Sequence, residues 1–212
     1  MQARNVRRRW WMVASVLALA ACGTADNPYA KLADPPLVSG GLYTVTLASA
    51  DATVADAVTR AGWQAAALPP NYPQADAVQA SIWGVPEPVA RAARHFRSGQ
   101  SGRPDLRLLQ MPLAARGRAA DPAIEQAFFR NVLGADVPRW PLPGGQPEDV
   151  RVQAWTYQVS DIVAAAKRLR ANGIPVVYNP VEITTAYQGD HRTLAIRAPD
   201  GTVVQLVQSV AQ

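Results

Sequence analysis

The sequence predicts an α+β fold made of two βαβββ modules in tandem, and three observations lead there. An Asp–helix–Gly block occurs twice, as Asp51 with Gly62 eleven positions on and as Asp161 with Gly173 twelve positions on. Each block is flanked by apolar segments of strand length, one before it and three after it. The two units also close alike, on Leu108-Leu109-Gln110 and on Leu206-Val207-Gln208. Two copies of one design, about a hundred residues apart, indicate an internal duplication.

The first element is an address. In residues 1–21 a basic segment (Arg4, Arg7, Arg8, Arg9) precedes an apolar run from Trp10 to Ala21, too short for a comfortable membrane span. Its end, Leu19-Ala20-Ala21-Cys22, resembles a bacterial lipobox. The resemblance implies a signal peptide over 1–21, diacylation of the Cys22 thiol and acylation of the new amino terminus. The protein would then be lipid-anchored in the bacterial cell envelope, facing the periplasm. Gly23 stands where an aspartate favours inner-membrane retention in enterobacterial lipoproteins, so the outer membrane is favoured. The plain alternative is an ordinary secretory signal with a chance cysteine, but the sole cysteine sits where the motif needs it. Residues 22–40 carry Pro28, Pro35 and Pro36 without periodicity and predict a tether, with an extended reach of about 60 Å.

The first module spans 41–111. Leu42 to Leu47 predicts a strand. Asp51 predicts an N-cap for a helix with Val54, Ala55 and Val58 on one face, ended by Gly62. Strands are expected near Trp63–Leu68, Ala90–Arg97 and Leu106–Met111, with Ala80–Trp83 as an irregular connection. Alternation puts Arg91, Ala93, His95 and Arg97 on one face and Arg94 and Phe96 on the other. Residues 112–149 hold six prolines and predict a linker packed on the domain, with a helix over 122–133 and a Gly144-Gly145 turn. The second module spans 150–212. It begins with a strand at Gln153–Val159, in which Trp155, Tyr157 and Val159 alternate. Asp161 caps a helix with Ile162, Ala165, Ala166 and Leu169 on one face. Strands at Ile174–Tyr178, His191–Arg197 and Thr202–Gln208 follow, the last two joined by a tight turn at Pro199-Asp200-Gly201.

Composition narrows the function. The formal charge is +5, from 21 basic and 16 acidic residues. Four arginines precede Cys22, so 17 basic residues face 16 acidic ones beyond it, and no nucleic-acid partner is expected. One cysteine excludes an intrachain disulfide, and two histidines, His95 and His191, limit metal sites and triads. There is no phosphate-binding glycine loop, GxSxG elbow, CxxC pair or HExxH helix.

Several stretches carry a family resemblance: the helix entry Val159-Ser160-Asp161, the exit Ala171-Asn172-Gly173-Ile174-Pro175-Val176, and the hairpin from Ala198 to Leu206. With the paired βαβββ units they resemble the vicinal oxygen chelate superfamily of glyoxalase I, bleomycin-resistance proteins and extradiol dioxygenases. The resemblance covers about two thirds of the chain. It implies a glyoxalase-like fold, with curved mixed sheets around a cleft.

The resemblance also implies where a divalent metal would be held: Thr44 and Ala154 on the first strand of each module, Arg107 and Gln205 on the last. Ala154 has no donor atom, Arg107 is a permanent cation, and a register slip to Leu106 or Leu108 supplies no carboxylate. No metal and no other cofactor is therefore expected. Thr44, Arg107, Trp155, Tyr157, His191 and Gln205 are the candidate ligand-binding residues; no catalytic residue is assigned. A surface histidine in a hairpin loop is the plainer reading of His191, and a solvated strand face that of His95, whose sharper reading is an anion-recognising wall with Arg107. The leading functional expectation is a metal-free module for a small ligand, anionic or aromatic, as monomer or homodimer. The alternatives are a metal-dependent lyase or isomerase of the glyoxalase I type and an envelope interaction module with a filled cleft.

Overall fold

The computed structural model describes residues 27–30, 36–67, 76–113, 119–185 and 189–210. The segment expected to be a signal peptide, its expected cleavage point and Cys22 lie outside the described residues. No described helix is long and apolar enough to cross a membrane.

The first half contributes β1 (Leu42–Ser49), α1 (Val54–Arg60), β2 (Gln64–Ala65), α2 (Asp76–Trp83), α3 (Glu87–Arg91), β3 (Arg94–Arg97) and β4 (Asp105–Gln110). A connecting helix, α4 (Pro122–Ala127), runs on into a π-helical turn at Phe128–Leu133. The second half contributes β5 (Val150–Gln158), α5 (Ile162–Ala171), β6 (Tyr178–Thr185), β7 (Gly189–Arg197) and β8 (Val203–Ser209). The eight strands among the described residues form one mixed sheet in the order β2-β3-β4-β1-β5-β8-β7-β6. The order reads the same from either edge once β1–β4 are matched to β5–β8. β1 is parallel to β4 and β5 to β8, and β1 meets β5 antiparallel at the centre. The fold class is the expected one, α+β from two β-α-β-β-β halves.

Strand alternation sorts the side chains onto two faces. One face carries Val45, Leu47, Leu106, Leu108, Trp155, Tyr157, Leu194, Ile196, Val204 and Leu206. These pack with Val58 of α1, Ile162 and Leu169 of α5, and Phe128, Phe129 and Leu133 beyond α4. The other face carries Ala48, Leu109, Ala154, Ala195 and Val203, which pack with Ala80, Ile82 and Trp83 of α2 and Ala90 of α3. These are the α5 face and the α2 face below.

The caps of α1 and α5 differ. Asp161 is an N-cap as expected: one carboxylate oxygen accepts from the N–H groups of Val163 and Ala164, each at 2.9 Å. Asp51 is not; the N-cap of α1 is Thr53, and Asp51 instead accepts from the Thr53 N–H at 2.8 Å and hydroxyl at 2.7 Å. Two residues separate Asp51 from the helix, so it orders the entry turn and satisfies no helical N–H. Asp161→Ala is expected to lower stability by about 1 kcal/mol in urea denaturation, with Asp51→Ala smaller.

Five other expectations are corrected. Ala80–Trp83 belongs to a helix, and Ala90 and Arg91 end α3, whose N-terminal Pro86-Glu87-Pro88 suits a helix start. β2 has only two residues. The strand expected at Ile174–Tyr178 begins at Tyr178 and runs through Pro180 to Thr185. β6 is a sheet edge, where a missing N–H is tolerated, and its register shifts between Tyr178 and Val181. Finally, much of the expected tether is docked. Leu37 is buried, the Val38 N–H donates to Leu133 and the Ser39 N–H to Gln158. Tyr29 packs edge-on against Phe128, 5.2 Å between centroids. Gly134 ends the π turn at φ 77°, and a Cβ there would lie 2.4 Å from Pro36 Cβ, so a glycine lets the two segments meet.

Candidate functional site

The centre of the α2 face is polar, although it is buried. Register accounts for the grouping. Across the β1–β5 seam Thr44 faces Thr156 and Thr46 faces Ala154. Thr46 is also level with Arg107 on β4, and Thr156 with Gln205 on β8. Beyond these, His95 on β3 is level with Arg107, and Ala195 on β7 with Gln205. Thr44, Thr46, Arg107, Thr156, Thr193, His191 and Gln205 are each at most 3% exposed.

Four of the six candidate ligand-binding residues, Thr44, Arg107, Gln205 and His191, thus share this face. The surface reading of His191 is overturned: it is 1% exposed on β7, between Ile183 and Ser209. Trp155 and Tyr157 are not with them. They alternate with Ala154 and Thr156, so they point to the α5 face, Trp155 level with Val204 and Tyr157 with Leu206. Trp155 lines a cavity of about 500 Å³ at the start of β5, and Tyr157 one of about 860 Å³ at its end.

α2 covers the polar centre with Trp83, which is 1% exposed. The Arg107 guanidinium lies 5.6 Å from the centroid of the Trp83 ring, a cation–π distance. Trp83 Nε1 donates to Gln205 Oε1 at 3.4 Å, a long bond, and its carbonyl accepts from Gln153 Nε2 at 2.5 Å. Gln205 in turn donates to Thr193 Oγ1 at 2.9 Å. A cavity of about 10 Å³ is lined by Thr44, His95 and Arg107. The buried Trp83 ring lies against the middle of the face, over Arg107 and Gln205.

Burial and a fixed cation set the protonation states. Burial, and then the Arg107 guanidinium, push His95 down from 6.5 to about 2. Burial also lowers His191, with Arg107 adding to the effect, against a hydrogen bond to the Gly189 carbonyl and the Asp190 charge, which raise it. Both imidazoles are neutral near pH 7. His191 Nδ1 lies 3.0 Å from the Gly189 carbonyl oxygen, which can only accept, so Nδ1 carries the proton. Nε2 is then an acceptor, and among the described residues it and the Thr46 hydroxyl are buried without a hydrogen-bond partner.

These residues do not fit a divalent cation. Thr44, Arg107, Ala154 and Gln205 do share the face, but a buried guanidinium stands among neutral oxygens and a methyl group. No group of three or more His, Cys, Asp or Glu among the described residues could hold a metal. Neutral hydroxyls, an amide, imidazole lone pairs and one buried cation suit an anionic or carbonyl oxygen flanked by hydrogen-bond donors. Sequence reasoning missed Thr46, Thr156 and Thr193 as members of this group, and the role of Trp83. The threonines were within reach, since positions 44 and 46, and 154 and 156, share parity on a strand.

No family model matches the chain, and no curated protein matches it in sequence. Among solved structures, the chain is similar to methylmalonyl-CoA epimerase from Mycobacterium tuberculosis, at 20% identity over 86% of this chain and 95% of that one, TM-score 0.45. A second methylmalonyl-CoA epimerase is 13% identical over 82% and 98%, TM-score 0.42. A glyoxalase/bleomycin resistance protein/dioxygenase superfamily member from Vibrio splendidus 12B01 is 13% identical over 78% and 97%, TM-score 0.36.

Proposed function

We propose that this protein is a lipid-anchored, periplasm-facing, glyoxalase-like module that binds a small anionic or aromatic molecule on its α2 face without a metal. The carrying observation is the buried polar centre under Trp83. A face meant only for packing needs apolar side chains; here threonines, a glutamine, a histidine and an arginine are kept at the cost of desolvation. The bare acceptor of His191 and the Thr46 hydroxyl are groups a ligand would satisfy. In this reading α2 and α3 are a cover, and the Trp83 ring is the stand-in for a planar ligand. A panel of small carboxylates and aromatic acids is expected to raise the melting temperature of the wild-type chain, less so in Gln205→Leu. If no compound shifts it, the reading fails.

The buried Trp83 ring over Arg107 and Gln205 supports a second reading, an interaction module whose cleft is permanently closed. That reading predicts no ligand response even when Trp83 is removed. The glyoxalase I-type enzyme is separated from both by metal. Purified protein is expected to hold no stoichiometric Mg, Mn, Ni, Zn or Fe, and EDTA to leave its melting temperature unchanged. One tightly held equivalent would restore the enzyme reading.

The anchor rests on Cys22. Cys22→Ser is expected to abolish lipid labelling and release the chain from the membrane fraction, since several acyl chains hold far better than none. A Ser variant that stays lipid-labelled would remove the lipobox reading.

A further inference from the structure

We infer that the helical layer on the α5 face lies against an anionic phospholipid surface, with the α2 face turned away from the lipid. The inference rests on the lipobox reading of Cys22 and adds the orientation of the anchored chain.

The leash is short. Four residues separate Cys22 from Asn27, and the five peptide steps between them span at most about 18 Å. From Asn27 the chain is held down. The Tyr29 N–H donates to Asn27 Oδ1 at 3.0 Å, and the Tyr29 carbonyl accepts from Asn131 Nδ2 at 2.6 Å. Its ring packs edge-on against Phe128. Phe128 and Asn131 belong to the π-helical turn, and Phe128 is buried in the apolar cluster of the α5 face. The chain therefore leaves for Cys22 from that side of the sheet.

The α5 and α2 layers lie on opposite sides of the sheet, roughly 20 Å apart at about 10 Å per packed layer. A leash of about 18 Å cannot carry the lipid from Asn27 round the sheet to the α2 side.

Charge points the same way. α5 carries Lys167, Arg168 and Arg170 and no acid, and Arg170 bonds only the neutral Asn179, at 2.6 Å. In the same layer α1 balances Asp56 with Arg60, and the connecting helix balances Glu125 with Arg130. The cap carboxylates Asp121 and Asp161 each bond the first turn of their own helix. The excess is basic and sits on α5. The α2 face has no such excess: α2 holds no base, and Arg91 of α3 is paired with Glu87. Val163, 60% exposed on α5, adds an apolar side chain that the headgroup boundary accepts. Cations beside an anionic leaflet are attracted within a Debye length, a distance the leash enforces. The polar centre under Trp83 then faces away from the bilayer.

The test uses the lipidated chain, purified in detergent and reconstituted into phosphatidylcholine vesicles containing phosphatidylglycerol. Cys22 is the sole cysteine, so once it is lipidated an introduced cysteine is the one free thiol. Ala164 on α5 and Ser81 on α2 are both exposed. Ala164→Cys and Ser81→Cys are labelled with a fluorophore, and a nitroxide on the lipid headgroup serves as a short-range quencher. The label at Ala164→Cys is expected to lose most of its emission, and that at Ser81→Cys to keep it. Lys167→Gln with Arg170→Gln should weaken the quenching at position 164, as should vesicles of phosphatidylcholine alone. In those neutral vesicles a flexible spacer of about twenty residues inserted after Gly23 should abolish the difference between the two positions. Equal quenching at both positions, stronger quenching at position 81, or a difference that either the spacer or the charge change leaves untouched would overturn the inference. A chain that carries no lipid and stays out of the vesicle fraction fails the anchor reading itself, and the inference with it.

Discussion

Trp83→Ala is expected to cost about 3–5 kcal/mol of stability, the usual range for truncating a large buried aromatic. The indole is 1% exposed and packs in the apolar cluster of Ala80, Ile82, Ala154 and Val203. Most of its neighbours there are alanines and valines, which have little side chain to swing into a vacated space. The cavity therefore persists rather than collapsing, which places the loss toward the upper end of the range. The loss also uncovers the Arg107 guanidinium and the Gln205 carbonyl oxygen that the indole faces. Trp83→Phe separates the two contributions: it keeps an aromatic face for Arg107 and loses the N–H, and since the Nε1 bond is long it should cost much less. Urea denaturation of the three proteins decides. Near-wild-type stability of Trp83→Ala would mean that α2 is not packed on the sheet, and the cover reading would fall with it. Under that reading the truncated variant, though less stable, should respond to aromatic acids more strongly than wild type, because the ligand no longer competes with the indole.

The β-α-β-β-β repeat was legible because it rests on local signals. Asp161 with its cap, the positive-φ glycines Gly62 and Gly173 after the helices, and the Asp200-Gly201 turn each specify their geometry within a few residues. The site was legible only in part. Thr44, Arg107 and Gln205 came from the resemblance and do share a face, but grouping them with Trp155 and Tyr157 ignored strand parity. Ala154 cannot point to one face while Trp155 and Tyr157 join it there. α2 and α3 were missed for a different reason. Asp76–Trp83 is amphipathic only against the small Ala48, Ala154, Ala195 and Val203, a surface that exists only after the two halves join at β1 and β5. A helix whose partner surface is assembled from both halves of the chain leaves a weak mark on its own sequence. His191 was misjudged likewise: a histidine near a hairpin is normally exposed, and only β6 and β8 on either side of it show otherwise.

Acid is expected to begin destabilising the protein well before its carboxylates are protonated. His95 has a folded pKa of about 2 against 6.5 when exposed. Between these values the unfolded chain binds a proton that the folded one refuses, so stability is fully present above pH 6.5 and falls as the pH drops below it. The slope is about 1.4 kcal/mol per pH unit for one such group. His191, lowered for the same leading reason of burial, adds to the slope in the same direction. Carboxylates enter later: Asp51, held below 3.8 by its bonds to Thr53, loses its contribution only in stronger acid. Glu125, raised by burial, works the other way near its own range, since protonating it favours the folded state. The interval below pH 6.5 and above the carboxylates thus belongs to the histidines, and two pH units there remove about 3 kcal/mol through His95 alone. That is a large share of a total stability of about 5–15 kcal/mol. Denaturation midpoints measured across this interval should fall steadily for wild type and more gently for His95→Gln, which keeps a polar side chain but cannot take up the proton. A wild-type profile flat from neutral pH down to the carboxylate range would mean that His95 is not held neutral beside Arg107, and the electrostatic account of the α2 face would have to be redrawn.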